Sequence, residues 1–188
     1  MSPELFLPGI LRWIHFVAGI IWIGLLYFFN LVNVPYTKAV EAKDRVAHVP
    51  KLMPLALAWF RYTALVTVLV GFWLISLYYW QFGNFFDTAN AKTIFAGMVL
   101  GFIMFFNVWV FIWPSQRKII AATVKGEKPD PQWGKIALYA SRTNFILSFP
   151  MLLYMGGATH FPMDWLWIVV YGALAAVIAA VIVFTVQK

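Results

Sequence analysis

Long apolar stretches separated by short polar ones divide the chain into five runs, at residues 7–34, 53–80, 93–113, 133–155 and 165–186. Each has about the 20 residues that a helix needs to cross a hydrocarbon core about 30 Å thick. Inside a bilayer the backbone has no water to bond, so an isolated apolar run of this length closes its hydrogen bonds on itself as a helix. The pattern predicts an all-α fold: an integral membrane bundle of five transmembrane helices, read as a single transmembrane helical domain over residues 1–188. Five crossings put the two termini on opposite sides.

The polar connections carry unequal charge. Residues 35–52 hold Lys38, Lys43, Arg45 and Lys51, and residues 115–132 hold Arg117, Lys118, Lys125 and Lys128, with Lys135 just beyond. Residues 81–92 offer only Lys92, and residues 156–164 have no lysine or arginine. Basic loops stay on the cytoplasmic side, which predicts the N-terminus outside and the C-terminus, ending at Lys188, in the cytoplasm. Trp13, Tyr78, Tyr79, Trp80, Trp113, Trp133, Trp165 and Trp167 lie at run ends, where aromatic residues form interfacial belts.

With 63% hydrophobic and 11% charged residues, the chain has too much apolar surface to leave in water. A net charge of +7 could elsewhere point to nucleic acid, but here the basic residues sit in short loops beside apolar runs. Membrane lipids are the expected partners and nucleic acid is not. Cysteine is absent, which removes disulfides, thiolate metal sites, iron–sulfur clusters and the C-x-x-C-H attachment of c-type haem. Any metal would use histidine, methionine or oxygen ligands. The start of the chain has no basic n-region and no small-residue cleavage site, so the first helix is expected to be retained.

Three arginines, Arg12, Arg61 and Arg142, fall inside or at the lips of the apolar runs, and all seven acidic residues fall outside them. An ionised guanidinium in hydrocarbon costs roughly 2.5 to 3.5 kcal/mol on insertion scales, so each asks for a partner. A lipid phosphate, a backbone carbonyl, another subunit or an anionic cofactor would serve. Arg61 and Arg142 sit at similar depth and would repel unless an anion lay between them.

His15 shares a helix face with Gly19 and Trp22, so that glycine leaves a gap that a flat ring or a neighbouring helix could fill. Arg12 stands three residues before His15, placed to reach a propionate if the imidazole held a haem. The plainer reading has His15 bonding a hydroxyl or carbonyl in the bundle while Arg12 reaches headgroups. His160 follows the fourth run on the same outer side, and two such imidazoles could form an axial pair or a small metal site if the loop folds back. His48 lies in a basic loop and reads as solvated. Ser141, Asn144, Ser148, Met151 and Met155 form a stripe on the fourth run that should face the bundle interior. Pro150 cannot bond the carbonyl of Ile146, which predicts a bend there with Asn144 or a neighbouring helix serving the freed group. Gly97 and Gly101 allow close helix approach, Asn107 is a candidate partner for an arginine or a bound ring, and Trp113-Pro114 reads as a helix terminator. No catalytic residue is assigned.

The stretches Arg12-Trp-Ile-His-Phe-Val-Ala-Gly-Ile-Ile-Trp-Ile-Gly24, Asn107-Val-Trp-Val-Phe-Ile-Trp-Pro114 and Ser141-Arg-Thr-Asn-Phe-Ile-Leu-Ser-Phe-Pro-Met151, followed by His160, resemble the membrane domain of bacterial membrane-bound, cytochrome-linked urate oxidases. His15 followed by Trp22-x-Gly24 is also similar to copper-resistance D-type and protoporphyrinogen oxidase-type membrane proteins. The resemblance implies a multi-pass protein of the bacterial inner membrane that binds haem b through His15 and His160. Arg12, Arg61 and Arg142 would be contacts of that cofactor, with Gly19, Trp22 and Asn107 around it. The family's C-terminal cytochrome c domain is missing from this cysteine-free sequence. The expectation is therefore a redox subunit of a membrane oxidoreductase rather than a complete urate oxidase, passing electrons between a substrate-oxidising partner and the respiratory chain, with other membrane subunits or a cytochrome c as partners. Two rivals stand beside it: a copper-binding or transport protein using His15, His160, Met151 and Met155, and a cofactor-free accessory subunit docking through the Gly97/Gly101 face and the fifth helix.

Overall fold

The computed structural model describes residues 3–78 and 86–188, apart from the side chains of residues 3–5, 42 and 48. The His48 side chain, Tyr79 and Trp80, singled out above, therefore lie outside what is described. The described residues form helices and no strands. In chain order these are α1 (Pro3–Tyr27), a π-helical segment (Phe28–Asn33), α2 (Val34–Ala39), α3 (Ala42–Tyr78), α4 (Ala89–Asn107), a second π-helical segment (Val108–Ile112), α5 (Trp113–Val124), α6 (Pro131–Gly157) and α7 (Trp165–Val186). Five stretches are long and apolar enough to cross a bilayer: Phe6–Ala39, Val49–Tyr78, Ala89–Val124, Pro131–Gly157 and Trp165–Val186. This is the build of a multi-pass membrane protein.

The first and third spans run further than the apolar pattern indicates, and the reason is the same in both. The Val34 N–H bonds the Phe29 carbonyl and the Trp113 N–H bonds the Val108 carbonyl, each five residues back. A proline clashes with the carbonyl four residues before it in a regular helix. Pro35 and Pro114 each come one residue after a wide π turn, where the backbone is already displaced, and the helix passes both. Trp113-Pro114 is thus the start of a further three turns and not a terminator, which corrects the sequence reading.

Helix starts are set by local chemistry. Thr88 accepts a bond from the Ala91 N–H at the head of α4, and Asp130 accepts one from the Gln132 N–H at the head of α6, where Pro131 needs no acceptor. Asp164 precedes α7 and pairs with Lys92 at 2.7 Å, joining the heads of α7 and α4.

α1 packs mainly on α3, α4 on α6, and α6 on α7. The main core gathers Trp22, Leu26, Phe29, Leu57, Phe60, Met104, Val108 and Met151 between the first four spans. A smaller cluster of Phe145, Ala179 and Val183 joins α6 to α7. Most of the outward surface of α7, including Leu166, Val169, Leu174, Val177 and Val181, is exposed and apolar, as a lipid-facing helix requires. One end of the bundle carries the basic residues of 35–52 and 115–135; the other carries the turn 158–161.

The α6 stripe faces inward, as its polarity demands. Asn144 and Ser148 are fully buried and Met151 nearly so. Two asparagines reach it from the neighbouring spans, each ending a Phe-Phe-Asn triplet at a π segment. Asn30 donates to Ser141 Oγ at 2.8 Å, and Asn107 donates to Asn144 Oδ1 at 2.8 Å. The Asn144 amide donates to the Met104 carbonyl at 2.9 Å, and no bond from it to the carbonyl that Pro150 leaves free is seen. Gly97 allows the close approach expected of it, since a Cβ there would come 3.1 Å from Met155 Cε and 3.2 Å from Tyr154 Cβ; around Gly101 there is nothing within 4 Å. Gly97 is therefore used inside the bundle, against α6, and is not an outward docking face.

Candidate functional site

His15 is half-buried on the side of α1 that packs against α3. Its Nδ1 lies 2.9 Å from the backbone oxygen of Thr67. A carbonyl only accepts, so Nδ1 carries the proton and Nε2 keeps its lone pair. Among the described residues Nε2 has no hydrogen-bond partner. Gly71, one turn beyond Thr67, makes the approach possible: a Cβ on it would come 3.0 Å from His15 Cε1 and 3.4 Å from Nδ1. Gly19, the glycine on the histidine's own helix, faces Thr67 instead, and a Cβ there would make ordinary contact at 3.9 Å. The gap beside the imidazole is thus filled by α3, and its glycine is Gly71.

Trp22 lies two turns further along α1 and is 2% exposed, with an indole N–H that finds no acceptor. A buried donor without a partner costs about 1 to 3 kcal/mol. It is the kind of group that an oxygen-bearing ligand completes.

The arginines find partners within the chain that are aromatic or neutral, not acidic. Arg12 is exposed and its guanidinium lies 4.6 Å from the centre of the Tyr78 ring. Arg61 stacks on Trp113 at 3.7 Å and on Tyr62 at 4.6 Å, and its Nη2 donates to the Tyr62 hydroxyl at 3.1 Å. The Arg61 Nε is buried and unpartnered. Arg142 donates through Nε to Gln187 Oε1 and lies 5.5 Å from the centre of the Phe184 ring. Ring faces hold a cation with about 0.5 to 2 kcal/mol. Arg61 thus faces α5 while Arg142 faces α7, so no shared anion between them is needed. Along α3, Arg61 lies about 9 Å from Thr67 at 1.5 Å per residue, which separates it from His15.

His160 is exposed on the turn after α6, whose backbone is tied down by Asn90 Nδ2 donating to the Ala158 carbonyl at 2.6 Å and by the Met163 N–H donating to Thr93 Oγ1 at 2.8 Å. His15 stands about 10 Å inside that end, judged from the seven residues between Gly71 and the end of α3. No hydrogen bond or ring contact joins the two histidines. Met151 is buried in the core and Met155 packs on Gly97. Among the described residues no group of three or more histidine and carboxylate side chains could hold a metal ion.

A family model described as urate oxidase N-terminal matches residues 80–188, more than half of the chain. The chain belongs to the urate oxidase N-terminal family. No curated protein and no solved structure matches it. The matched stretch contains two of the three blocks that suggested the family, those at Asn107–Pro114 and Ser141–Met151, together with Arg142 and His160; His15, Gly19, Trp22 and Arg61 precede it.

Within the family segment the best-connected polar group is one that sequence reasoning missed. Gln187 Nε2 donates to the Asn30 carbonyl at 2.8 Å, its Oε1 accepts from Arg142, and its backbone carbonyl accepts from Lys38 Nζ. This one residue ties the end of α7 to the first span and to α6. The only hint in the sequence was a lone glutamine after twenty-two residues with no charge. Tyr154 was also missed. Its hydroxyl donates to the Ile168 carbonyl at 2.6 Å beside Gly172, where a Cβ would come 1.8 Å from that oxygen.

Proposed function

We propose that this chain is a redox subunit of the bacterial inner membrane that holds haem b through His15. It would pass electrons between a substrate-oxidising partner and the respiratory chain, alongside other membrane subunits or a cytochrome c. The basic end would face the cytoplasm, following the loop charges. One observation carries the reading: the imidazole is fixed by its bond to the Thr67 carbonyl with Nε2 free. Ligating histidines characteristically give their other ring N–H to a carbonyl or carboxylate, which fixes the tautomer and raises the basicity of the donor nitrogen.

The donor set fits a haem in part. Membership of the urate oxidase N-terminal family links the chain to oxidative chemistry. His15 supplies an axial imidazole, the Trp22 N–H is an unspent donor, and Arg12, one turn from His15, is exposed and free of any carboxylate among the described residues. Haem b when bound supplies one-electron chemistry. The chain's own part is to orient His15 through Thr67 and Gly71, to bury its surroundings, and to keep positive charge nearby. His160 stands apart at the surface and is the weaker ligand candidate. The copper reading needs His160, Met151 and Met155 beside His15, and the surface position of His160 gives it no support.

A reduced-minus-oxidised optical spectrum of the purified protein tests the proposal. The expected result is a haem b signature that disappears in His15→Ala and survives in His160→Ala. A protein without a Soret band, or a His15→Ala variant with unchanged haem, overturns it.

A further inference from the structure

A cavity of about 380 Å³ opens beside the first turns of α5, lined by Trp113, Pro114, Arg117 and Lys118. Arg61 lies against one of these lining residues: its guanidinium is on the Trp113 ring at 3.7 Å, and its Nε has no acceptor. Two cations therefore line the cavity, and a third, from α3, stacks on its Trp113. Among the described residues the carboxylate ion pairs are Lys43 with Glu41 and Lys92 with Asp164, so none of the three is neutralised by an acid. A cavity that concentrates positive charge without a counter-charge calls for an anion.

The surroundings indicate where that anion comes from. Leu55, Trp59 and Tyr62 are exposed along one face of α3, and a smaller cavity of about 190 Å³ is lined by Ala58, Trp59 and Tyr62, the last of which also stacks with Arg61. That lining is apolar, suited to an acyl chain. Arg61 itself lies within an apolar span, while Arg117 and Lys118 are exposed at the basic end. Guanidinium and ammonium groups at this level, with tryptophans beside them, match the phosphate depth of a leaflet.

We propose that this cavity binds the phosphate headgroup of an acidic phospholipid in the leaflet at the basic end of the bundle. Trp113, with Arg61 stacked on its ring, forms the inner wall, and Arg117 and Lys118 close over the phosphate. The site is separate from His15, and its test does not depend on haem.

The test uses the delipidated full chain in mild detergent, titrated with phosphatidylglycerol, phosphatidylcholine or inorganic phosphate and read by native mass spectrometry and thermal unfolding. Phosphatidylglycerol is expected to bind and to raise the unfolding temperature, while the other two do neither. Each cation contributes about fivefold to acidic-lipid affinity, so Arg117→Gln with Lys118→Gln should weaken binding about 30-fold. Lys125→Gln with Lys128→Gln, in the same basic segment but off the cavity, should change it by less than about twofold on the same scale. Arg61→Gln should weaken it as well, and the exposed Arg117/Lys118 pair keeps the test decisive if Arg61→Gln does not fold. Equal binding of the two lipids, inorganic phosphate competing as strongly as lipid, or equal losses in the cavity and control variants would each overturn the site.

Discussion

Gly71 stands where any side chain would strike the His15 ring, since a Cβ there would come 3.0 Å from Cε1 and 3.4 Å from Nδ1. The acceptor of the His15 proton is the carbonyl of Thr67, four residues earlier on the same helix. Tyr154 repeats the arrangement with Ile168 and Gly172: a polar ring tip reaches a helix carbonyl, and the residue four places on is glycine. A helix surface is crowded by its side chains, and a ring can reach a carbonyl already bonded within the helix only over a bare stretch of backbone.

Gly71→Ala is expected to push the His15 ring off the Thr67 carbonyl. Overpacking of this kind costs about 1 to 3 kcal/mol, partly offset by the better helix propensity of alanine, about 1 kcal/mol at most. Nitrogen NMR of labelled histidine provides the readout: the Nδ1-protonated tautomer should dominate in the parent protein and be lost in the variant. Thr67→Ser keeps the carbonyl and should keep the tautomer. An unchanged tautomer in Gly71→Ala would show that the notch does not position the ring.

At Tyr154 and Gly172 the conflict is more severe, because the added Cβ would lie 1.8 Å from the hydroxyl oxygen. Gly172→Ala should destabilise the protein more than Tyr154→Phe, which gives up one hydrogen bond worth about 1 kcal/mol. The double variant should be less destabilised than the two single effects predict, with a coupling of about 0.5 to 3 kcal/mol, because removing the hydroxyl relieves the worst clash. Additive unfolding free energies in detergent would count against this account.

The Asn107–Asn144 pair is the polar link between α4 and α6, and Asn144 also caps the Met104 carbonyl. Asn144→Leu should cost more than Asn107→Leu, because it strands the Asn107 amide and also removes the second bond to the Met104 carbonyl, which keeps only the Val108 N–H. Buried interhelical hydrogen bonds in membrane proteins are worth about 0.6 kcal/mol on average and about 1.7 at most, so the expected difference is of that order. Equal losses for the two variants would mean that the Met104 bond contributes nothing.

Gln187→Ala removes both side-chain bonds that connect the end of α7 to Arg142 and to the Asn30 carbonyl. Amide hydrogen exchange should rise over the last turns of α7 and in the Phe28–Asn33 segment while α3 and α4 stay protected. Uniform acceleration would indicate global loosening instead.

The five spans were legible because length and polarity alone decide which segments cross a bilayer. So was the inward direction of Ser141, Asn144 and Ser148, since lipid offers such groups nothing. The passage of the third span through Trp113-Pro114 was not, because a π turn leaves no mark in composition. For His15 the sequence pointed to Gly19, four residues along the same helix, as the glycine beside the ring. Gly71 lies fifty-six positions away, and no periodicity on one helix can point to it. For the arginines the sequence pointed to a lipid phosphate, a backbone carbonyl, another subunit, an anionic cofactor or Asn107, and not to ring faces: Tyr78 and Trp113 read as interfacial belt residues, and Phe184 carried no signal. The family match from residue 80 onward covers the two later blocks and does not reach the His15 block.

The two π turns also set the rotational phase of their spans. Each inserts one residue into the helical repeat, so everything beyond it is turned by about 100° relative to an uninterrupted helix. A substitution scan across the first span should therefore show a periodicity of tolerance that slips at Phe28–Asn33, and one across the third should slip at Val108–Ile112. A single helical wheel drawn through either span would assign lipid-facing and inward-facing positions correctly on one side of the slip and wrongly on the other.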